Sequence, residues 1–454
     1  MGNQASGGWR ASGALVLLLG GCGGGKPALV PIAASAPPSV LAPPDRAVSR
    51  SIPFTDLWIR STATTPKQIV PDLFFTTDIR RIPGPTGELS AIELSNCASA
   101  VSVHVESLDK DSCEVARLGD RAKAMKWVAA GSALSGEKPA VRLVSVTVAR
   151  MHEPSRFLGL EWGGDPFQKV KFTVQSMLLA QDSPIESARD FTDLETLVNP
   201  CILAVGDCNS DGQDDFLLVM LRGEECQLLS GNALQPLATI PTRKLGLVAT
   251  SVGDVDGDGG EDVFVSEDTG TDFCIISPRT SKVLRRVTFD AALGTKIFAR
   301  KACNTGKSAQ GEPTLAIDFQ CADVAGVERV AVISALTGVQ LESAVDVLTR
   351  VTALDCGRIS GGNRRWLAWS AAADPLKGPA HLFVREVGVA DSTVEVLLPV
   401  DVRRYGASAC AVPVLGSTHD CLAITVSPAS PSYGVPVTFD PIMFLDVARC
   451  FGKR

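Results

Sequence analysis

The stretch Gly253-Asp254-Val255-Asp256-Gly257-Asp258-Gly259-Gly260-Glu261-Asp262 sets carboxylates at three alternate positions, Asp254, Asp256 and Asp258, and a fourth at Asp262. So much negative charge in so short a span is costly unless a cation neutralises it. The interleaved glycines let the backbone curl, so that alternate side chains converge on one point. Ligands that offer only oxygen suit a hard cation such as Ca²⁺ rather than zinc or copper. The pattern recurs as Gly206-Asp207-Cys208-Asn209-Ser210-Asp211-Gly212-Gln213-Asp214-Asp215. Ligand-type residues again stand at offsets 0, 2, 4 and 8, with Asn209 in place of one Asp. Two Ca²⁺ loops are expected. Two merely solvated turns would have no reason to share the spacing.

Each loop runs into an apolar β-type segment, Phe216-Leu217-Leu218-Val219 or Val263-Phe264-Val265. A helix-loop-helix calcium hand needs a Glu at its twelfth position and flanking helices. Leu218 and Val265 hold that position here, so this reading fails. A short strand also precedes each loop, Ile202 to Gly206 and Val248 to Gly253, and two further strand-like runs follow it. Three weaker copies come next. Taking Cys208, Val255, Cys303, Cys356 and Cys410 as equivalent gives spacings of 47, 48, 53 and 54 residues. Four short strands at a period near 50 predict an all-β chain of β-propeller blades, and no unit carries the helical periodicity of an α-solenoid.

Gly-Asp-x-Asp-Gly-Asp-Gly-x-x-Asp before an apolar strand, then a Ser-Gly-type turn, resembles the FG-GAP repeat of integrin-alpha-like propellers. The resemblance covers residues 198–454 and is strongest in the first two units. It implies Ca²⁺ held by Asp254, Asp256, Asp258, Asp262 and the Gly260 carbonyl. In the other loop it implies Asp207, Asn209, Asp211, Asp215 and the Gln213 carbonyl. Ala302 and Gly306, the lone Asp355, and Ala409 and Ala411 break the pattern in the later units, which are expected to bind no metal. Integrin-type propellers have seven blades, and five are visible. Residues 52–197 hold strand-like runs such as Val141 to Val148 and no acidic loop, which fits a separate β domain as well as degenerate blades. Asp120 to Trp127 reads as a helical stretch.

The chain has 454 residues, 45% of them hydrophobic, and a formal net charge of −7. That balance supports a large core and argues against a nucleic-acid partner. The N-terminus carries Arg10, the short apolar run Ala14 to Leu19, and then Gly20-Gly21-Cys22. The run is too short to span a membrane. Leu19-Gly20-Gly21-Cys22 resembles the lipobox of a bacterial lipoprotein, implying a signal peptide at 1–21, lipidation at Cys22 and a place in the cell envelope, at the outer membrane or cell surface. Residues 22–51 are rich in Pro, Gly and Ala and read as a tether. Twelve cysteines remain after Cys22. In an oxidising compartment the candidate disulfides are Cys97 with Cys113, Cys208 with Cys226, Cys303 with Cys321, and Cys410 with Cys421.

The four histidines, His104, His152, His381 and His419, fall in no metal or catalytic spacing. No GxSxG or strand-to-helix GxGxxG occurs. Trp366 and Trp369 suit core packing better than a sugar platform, and Arg364-Arg365 and Arg403-Arg404 read as solvated rim charges. The expectation is a calcium-stabilised, non-catalytic propeller that serves as a protein-binding, adhesion or scaffold module. Its partner would be a surface protein or polysaccharide, and its membrane contact a lipid anchor alone. The alternative is a propeller enzyme such as a polysaccharide lyase, whose catalytic groups would come from several blades.

Overall fold

The second strand of a repeat is apolar at its centre, and such a strand is stable only when both of its faces are covered. In Phe216–Leu221 all six residues are buried, as are all six of Asp262–Glu267. The outer strands Pro236–Pro241 and Lys282–Thr288 are largely exposed and alternate with water. Radial stacking of twisted sheets satisfies both patterns. Middle strands are sandwiched between neighbouring sheets, and outer strands form the rim.

The computed structural model describes residues 48–59 and, with gaps, 75–452. Residues 46–454 form one unit. Among the described residues, seven sheets have four or more strands. We number them as blades 1 to 7, starting at residues 75, 125, 199, 245, 297, 351 and 407. Their innermost strands touch in cyclic order, and the first strand of blade 7, Ala407–Pro413, meets that of blade 1, Phe75–Gly84. The chain is a β-propeller. Blades 1 and 2 occupy residues 75–194, in the region the sequence left open.

Alternation of side chains fills each joint. Phe216 and Leu218 pack with Val144, Phe172 and Val174 of blade 2, while Leu217 and Val219 pack with Val263 and Ile276 of blade 4. Phe264 and Phe273 meet Ile317 and Phe319 across the next joint. Trp366 and Trp369, 0% and 1% exposed, lie in the cores on either side of blade 6, which excludes a surface sugar platform for them.

The ring is closed by the N-terminal strands. Trp58–Ile59 forms the fourth strand of blade 7, antiparallel to Ile442–Leu445. Arg50–Pro53 adds a fifth, parallel strand to blade 6 along Val394–Leu397. Leu57, between them, is 2% exposed in the core of blades 6 and 7. A two-residue strand gave no signal that sequence reading could detect.

Several local expectations change. Met125–Ser135 is the inner strand of blade 2, so the end of the expected helix at Asp120 to Trp127 is extended, with residues 118–124 outside the described set. Pairing with Lys138–Arg150 overrides the helical preference of Met125 and Lys126. Cys303 and Cys356 fall inside inner strands, not in loops. The acidic loops have a counterpart in blade 5 at Ser308–Glu312, where a shorter turn suffices because no carboxylates must wrap a common point.

The expected disulfides do not form among the described cysteines. Cys303 lies opposite Ala316 and Cys321 opposite Ile297, near opposite ends of one hairpin and too far apart to bond. Cys208 and Cys226 are separate thiols, and Cys421 faces Val412 rather than Cys410. Cys97 lies outside the described residues, so its pairing with Cys113 is not addressed. Burial pushes the Cys226 thiol up and the Cys274 thiol to about 12, which leaves both protonated and unreactive as nucleophiles.

One buried acid sits between charges on three elements. Asp318, 0% exposed, has no hydrogen-bond partner on either oxygen among the described residues. Burial pushes its carboxyl to about 8, Glu328 adds to the rise, and Lys301, Arg300 and Arg350 oppose it. The folded form therefore holds a proton that the unfolded chain releases near its ordinary value of 3.8. Stability falls as pH rises from about 4 to about 8. Wild type should lose roughly 2–4 kcal/mol between pH 5 and pH 8 relative to Asp318→Asn, a neutral isostere. Urea unfolding of both proteins at the two pH values checks this, and parallel losses would refute the assignment.

Candidate metal centre

Both acidic loops join the inner strand of a blade to its second strand, in blades 3 and 4. Their backbones fold by the same hydrogen bonds. Asp207 Oδ1 and Oδ2 accept from Asp211 N (3.0 Å) and Gly212 N (2.8 Å). Asp254 also accepts twice, from Gly259 N (3.0 Å) at the matching place and from Gly257 N (2.6 Å), one position before the counterpart of Asp211. The third position accepts from the fifth in each case, Asn209 Oδ1 from Asp211 N (2.9 Å) and Asp256 Oδ1 from Asp258 N (3.1 Å). The last carboxylate closes the turn. Asp215 Oδ2 binds Cys208 N and Asn209 N at 3.0 and 3.1 Å, and Asp262 Oδ2 binds Val255 N and Asp256 N at 2.7 and 3.3 Å. The alternation of acids and glycines had predicted this curl.

In the blade 4 loop, Asp254, Asp256 and Asp262 bring one oxygen each within 4.8 Å of one another. Asp254 and Asp256 are exposed, while Asp262 is 0% exposed. Asp262 Oδ1 has no hydrogen-bond partner among the described residues. Burial pushes its carboxyl up to about 6, and Asp256 and Asp258 raise it further, against the two backbone N–H donors. A buried carboxylate oxygen without a donor, beside two more carboxylates, fits a hard divalent cation. Asp258 stands outside the trio. Its Oδ1 accepts from Gly260 N (2.7 Å) and its Oδ2 from Ser277 Oγ (3.1 Å).

The blade 3 loop does not assemble such a trio from Asp207, Asp211 and Asp215. Asn209 Nδ2 donates to Asp211 Oδ2 at 3.2 Å and to Asp215 Oδ1 at 3.4 Å. The side chain of Gln213 is drawn to the neighbouring blade, its Oε1 accepting from Arg142 Nη2 at 3.3 Å. Burial pushes Asp215 to about 6, with Asp211 adding and the Gly231, Asn209 and Cys208 N–H groups opposing.

Both loops also tie blades together, which the sequence pattern did not reveal. Asp214 donates its N–H to Ser132 O (2.9 Å) and accepts Ser132 N on its carboxylate (2.6 Å), joining blade 3 to blade 2. Gly231 packs so closely on this staple that a Cβ there would lie 2.1 Å from Asp214 O. Glu261 N donates to Val205 O at 3.4 Å, joining blade 4 to blade 3. In blade 6 the surviving Asp355 is reused, its Oδ2 accepting Ala411 N of blade 7 at 2.7 Å.

The remaining polar candidates are held in pairs. Glu386 grips Arg364 with both oxygens, at 2.7 and 3.0 Å, and leaves its side chain 30% exposed. His381 Nδ1 lies 2.6 Å from Glu395, and His419 Nε2 lies 3.5 Å from Asp446. A polar cleft of about 380 Å³ opens beside blade 6, lined by Arg50, Glu386, Asp391 and Arg449 among others. Arg50 there is held by the Cys450 carbonyl and Arg449 by Asp446. Cys22, Arg403 and Arg404 lie outside the described residues.

No family model matches the chain, and no curated protein does. Solved structures resemble it at low identity. The structure of BBS1N in complex with ARL6DN aligns at a TM-score of 0.36 and 10% identity, covering 58% of this chain and 71% of that one. The Dos1 propeller aligns at 0.35 and 8%, covering 56% and 63%. The dihydro-heme d1 dehydrogenase NirN in complex with DHE aligns at 0.36 and 11%, covering 70% and 66%. At such scores the fold rests on the chain's own seven-sheet ring, which makes it a β-propeller.

Proposed function

We propose that this chain is an exported, lipid-anchored β-propeller, stiffened by Ca²⁺ in the acidic loop of blade 4, that presents its inter-strand loops to a surface protein or polysaccharide without catalysing a reaction. The observation that carries the calcium reading is the buried, donor-less Oδ1 of Asp262 beside Asp254 and Asp256. The same loop is bonded to blade 3 through Glu261 N, so a cation there braces a joint rather than activating a substrate. The likeness of the loop motif to an FG-GAP repeat supports the calcium reading, and the likeness of Leu19-Gly20-Gly21-Cys22 to a lipobox supports export.

Calcium at a site with a dissociation constant of roughly 10⁻⁴ to 10⁻³ M should add about 1.4–2.7 kcal/mol at ten millimolar free ion. Thermal melts in Ca²⁺ and in EDTA read this directly. The shift should vanish in Asp256→Ala, and identical melts for wild type with and without calcium would end the calcium reading. Cys22→Ala should release the protein from membranes. Pull-down with envelope proteins and glycans then identifies the partner, and turnover of a polysaccharide would favour the lyase alternative instead.

A further inference from the structure

We infer that the two acidic loops, alike in sequence and backbone, are not alike in function: the blade 4 loop holds one divalent cation, and the blade 3 loop holds none because protein hydrogen-bond donors occupy the cation's place. The inference rests on the calcium reading above and departs from what the repeat resemblance implies, which is metal in both loops.

The argument turns on the inner oxygen of the closing carboxylate. In blade 3, Asp215 Oδ1 accepts from Gly231 N at 3.2 Å and from Asn209 Nδ2 at 3.4 Å. Both donors have been removed in blade 4. Asp256 stands where Asn209 stands and has no N–H to offer. Pro278 follows Asp262 by the interval at which Gly231 follows Asp215, 16 residues, and proline has no backbone N–H. Asp262 Oδ1 is therefore buried without a donor. Two independent substitutions strip the same atom, and a third carboxylate replaces the lost amide.

The orientation of the Asn209 amide is fixed by its other end. Asn209 Oδ1 accepts the Asp211 N–H at 2.9 Å, and turning the amide over would set an NH₂ group against that N–H. The NH₂ group must face Asp211 and Asp215. There it satisfies two carboxylates that a cation would otherwise bridge, and it displaces an oxygen ligand. Loop 3 is closed by neutral donors. The blade 4 loop is left with a buried carboxylate oxygen that no protein donor meets, a place that fits a divalent cation.

Equilibrium dialysis with calcium on the full chain tests this by stoichiometry, with circular dichroism confirming the fold of each variant. Wild type should bind one Ca²⁺. Asp256→Asn should bind none, Asp211→Asn should still bind one, and Asn209→Asp should bind two. Pro278→Gly restores an N–H beside Asp262 and should weaken the single site about fivefold to tenfold. Two ions on wild type, one of them lost in Asp211→Asn, would overturn the inference while leaving the calcium reading intact. No ion on wild type at millimolar calcium would overturn the calcium reading itself. Because Asn209→Asp gains a site, a folding defect cannot imitate its expected result. Failure of that variant to gain one, in a folded protein, would also overturn the inference.

Discussion

Removing residues 1–59 should lower the free energy of unfolding by more than about 5 kcal/mol relative to a chain that begins at residue 46. The longer deletion takes away Leu57, 2% exposed, and the partly buried Ile52 and Phe54 that pack beside it. Each such side chain is worth about 1.5–3 kcal/mol when buried. It also takes away the pairing of Arg50–Pro53 with Val394–Leu397 and of Trp58–Ile59 with Leu445 and Phe444. The bond from Asp446 N to Leu57 O, 2.9 Å, goes with them. Blade 7 would end on an open edge, and the chain would no longer run from its rim back to blade 1. Denaturant unfolding of the two truncated chains beside the full chain decides the matter. Equal midpoints and slopes for all three would show that the ring closes without its N-terminal strands.

Asp420→Ala should cost about 2–4 kcal/mol, the largest loss expected from one surface-neighbouring charge. Its carboxylate, 1% exposed on blade 7, accepts from Arg358 of blade 6 three times. The bonds are Arg358 N at 2.8 Å, Nε at 3.0 Å and Nη2 at 2.8 Å. Truncation leaves the partly buried Arg358 backbone N–H without this acceptor. The guanidinium, 39% exposed, can turn back to water, which holds the loss below that of a fully buried pair. Asp420→Asn keeps an acceptor for the backbone N–H and should lose only about half as much. Trp366 Nε1 bonds the Asp420 carbonyl at 3.2 Å, so indole fluorescence should follow the same transition. If the Ala and Asn variants are equally stable, the charge-assisted bonds are not what holds this joint.

Much of the design is local and could be read from the chain. The alternation of Asp and Gly forced the two curled loops, because acids at every second position share a centre only in a tight turn. The apolar runs Phe216–Leu221 and Val263–Val265 announced strands buried on both faces, and their period near 50 announced blades. Blades 1 and 2 were harder to recognise, because no acidic loop marks them and the hairpin at residues 156–161 interrupts blade 2. The helical reading at Asp120 to Trp127 is overturned at its end, Met125 to Trp127, for a related reason. The preference of Met125 and Lys126 is worth tenths of a kcal/mol, less than a strand gains from a full ladder of hydrogen bonds.

What sequence could not reach depends on residues far apart in the chain. Arg50–Pro53 pairs with Val394–Leu397 across some 344 positions, and Asp420 meets Arg358 across 62. The spacing of Cys303 and Cys321 suggested a bond that the register of their hairpin forbids. The loops show the division most plainly. Types and spacing determined that both would curl around a shared point, since that follows from each backbone alone. On the proposed reading, which of them calls for a cation depends on Gly231 and Pro278 in the turn after the third strand as well as on Asn209 and Asp256, and only the folded sheet carries that turn to the buried oxygen.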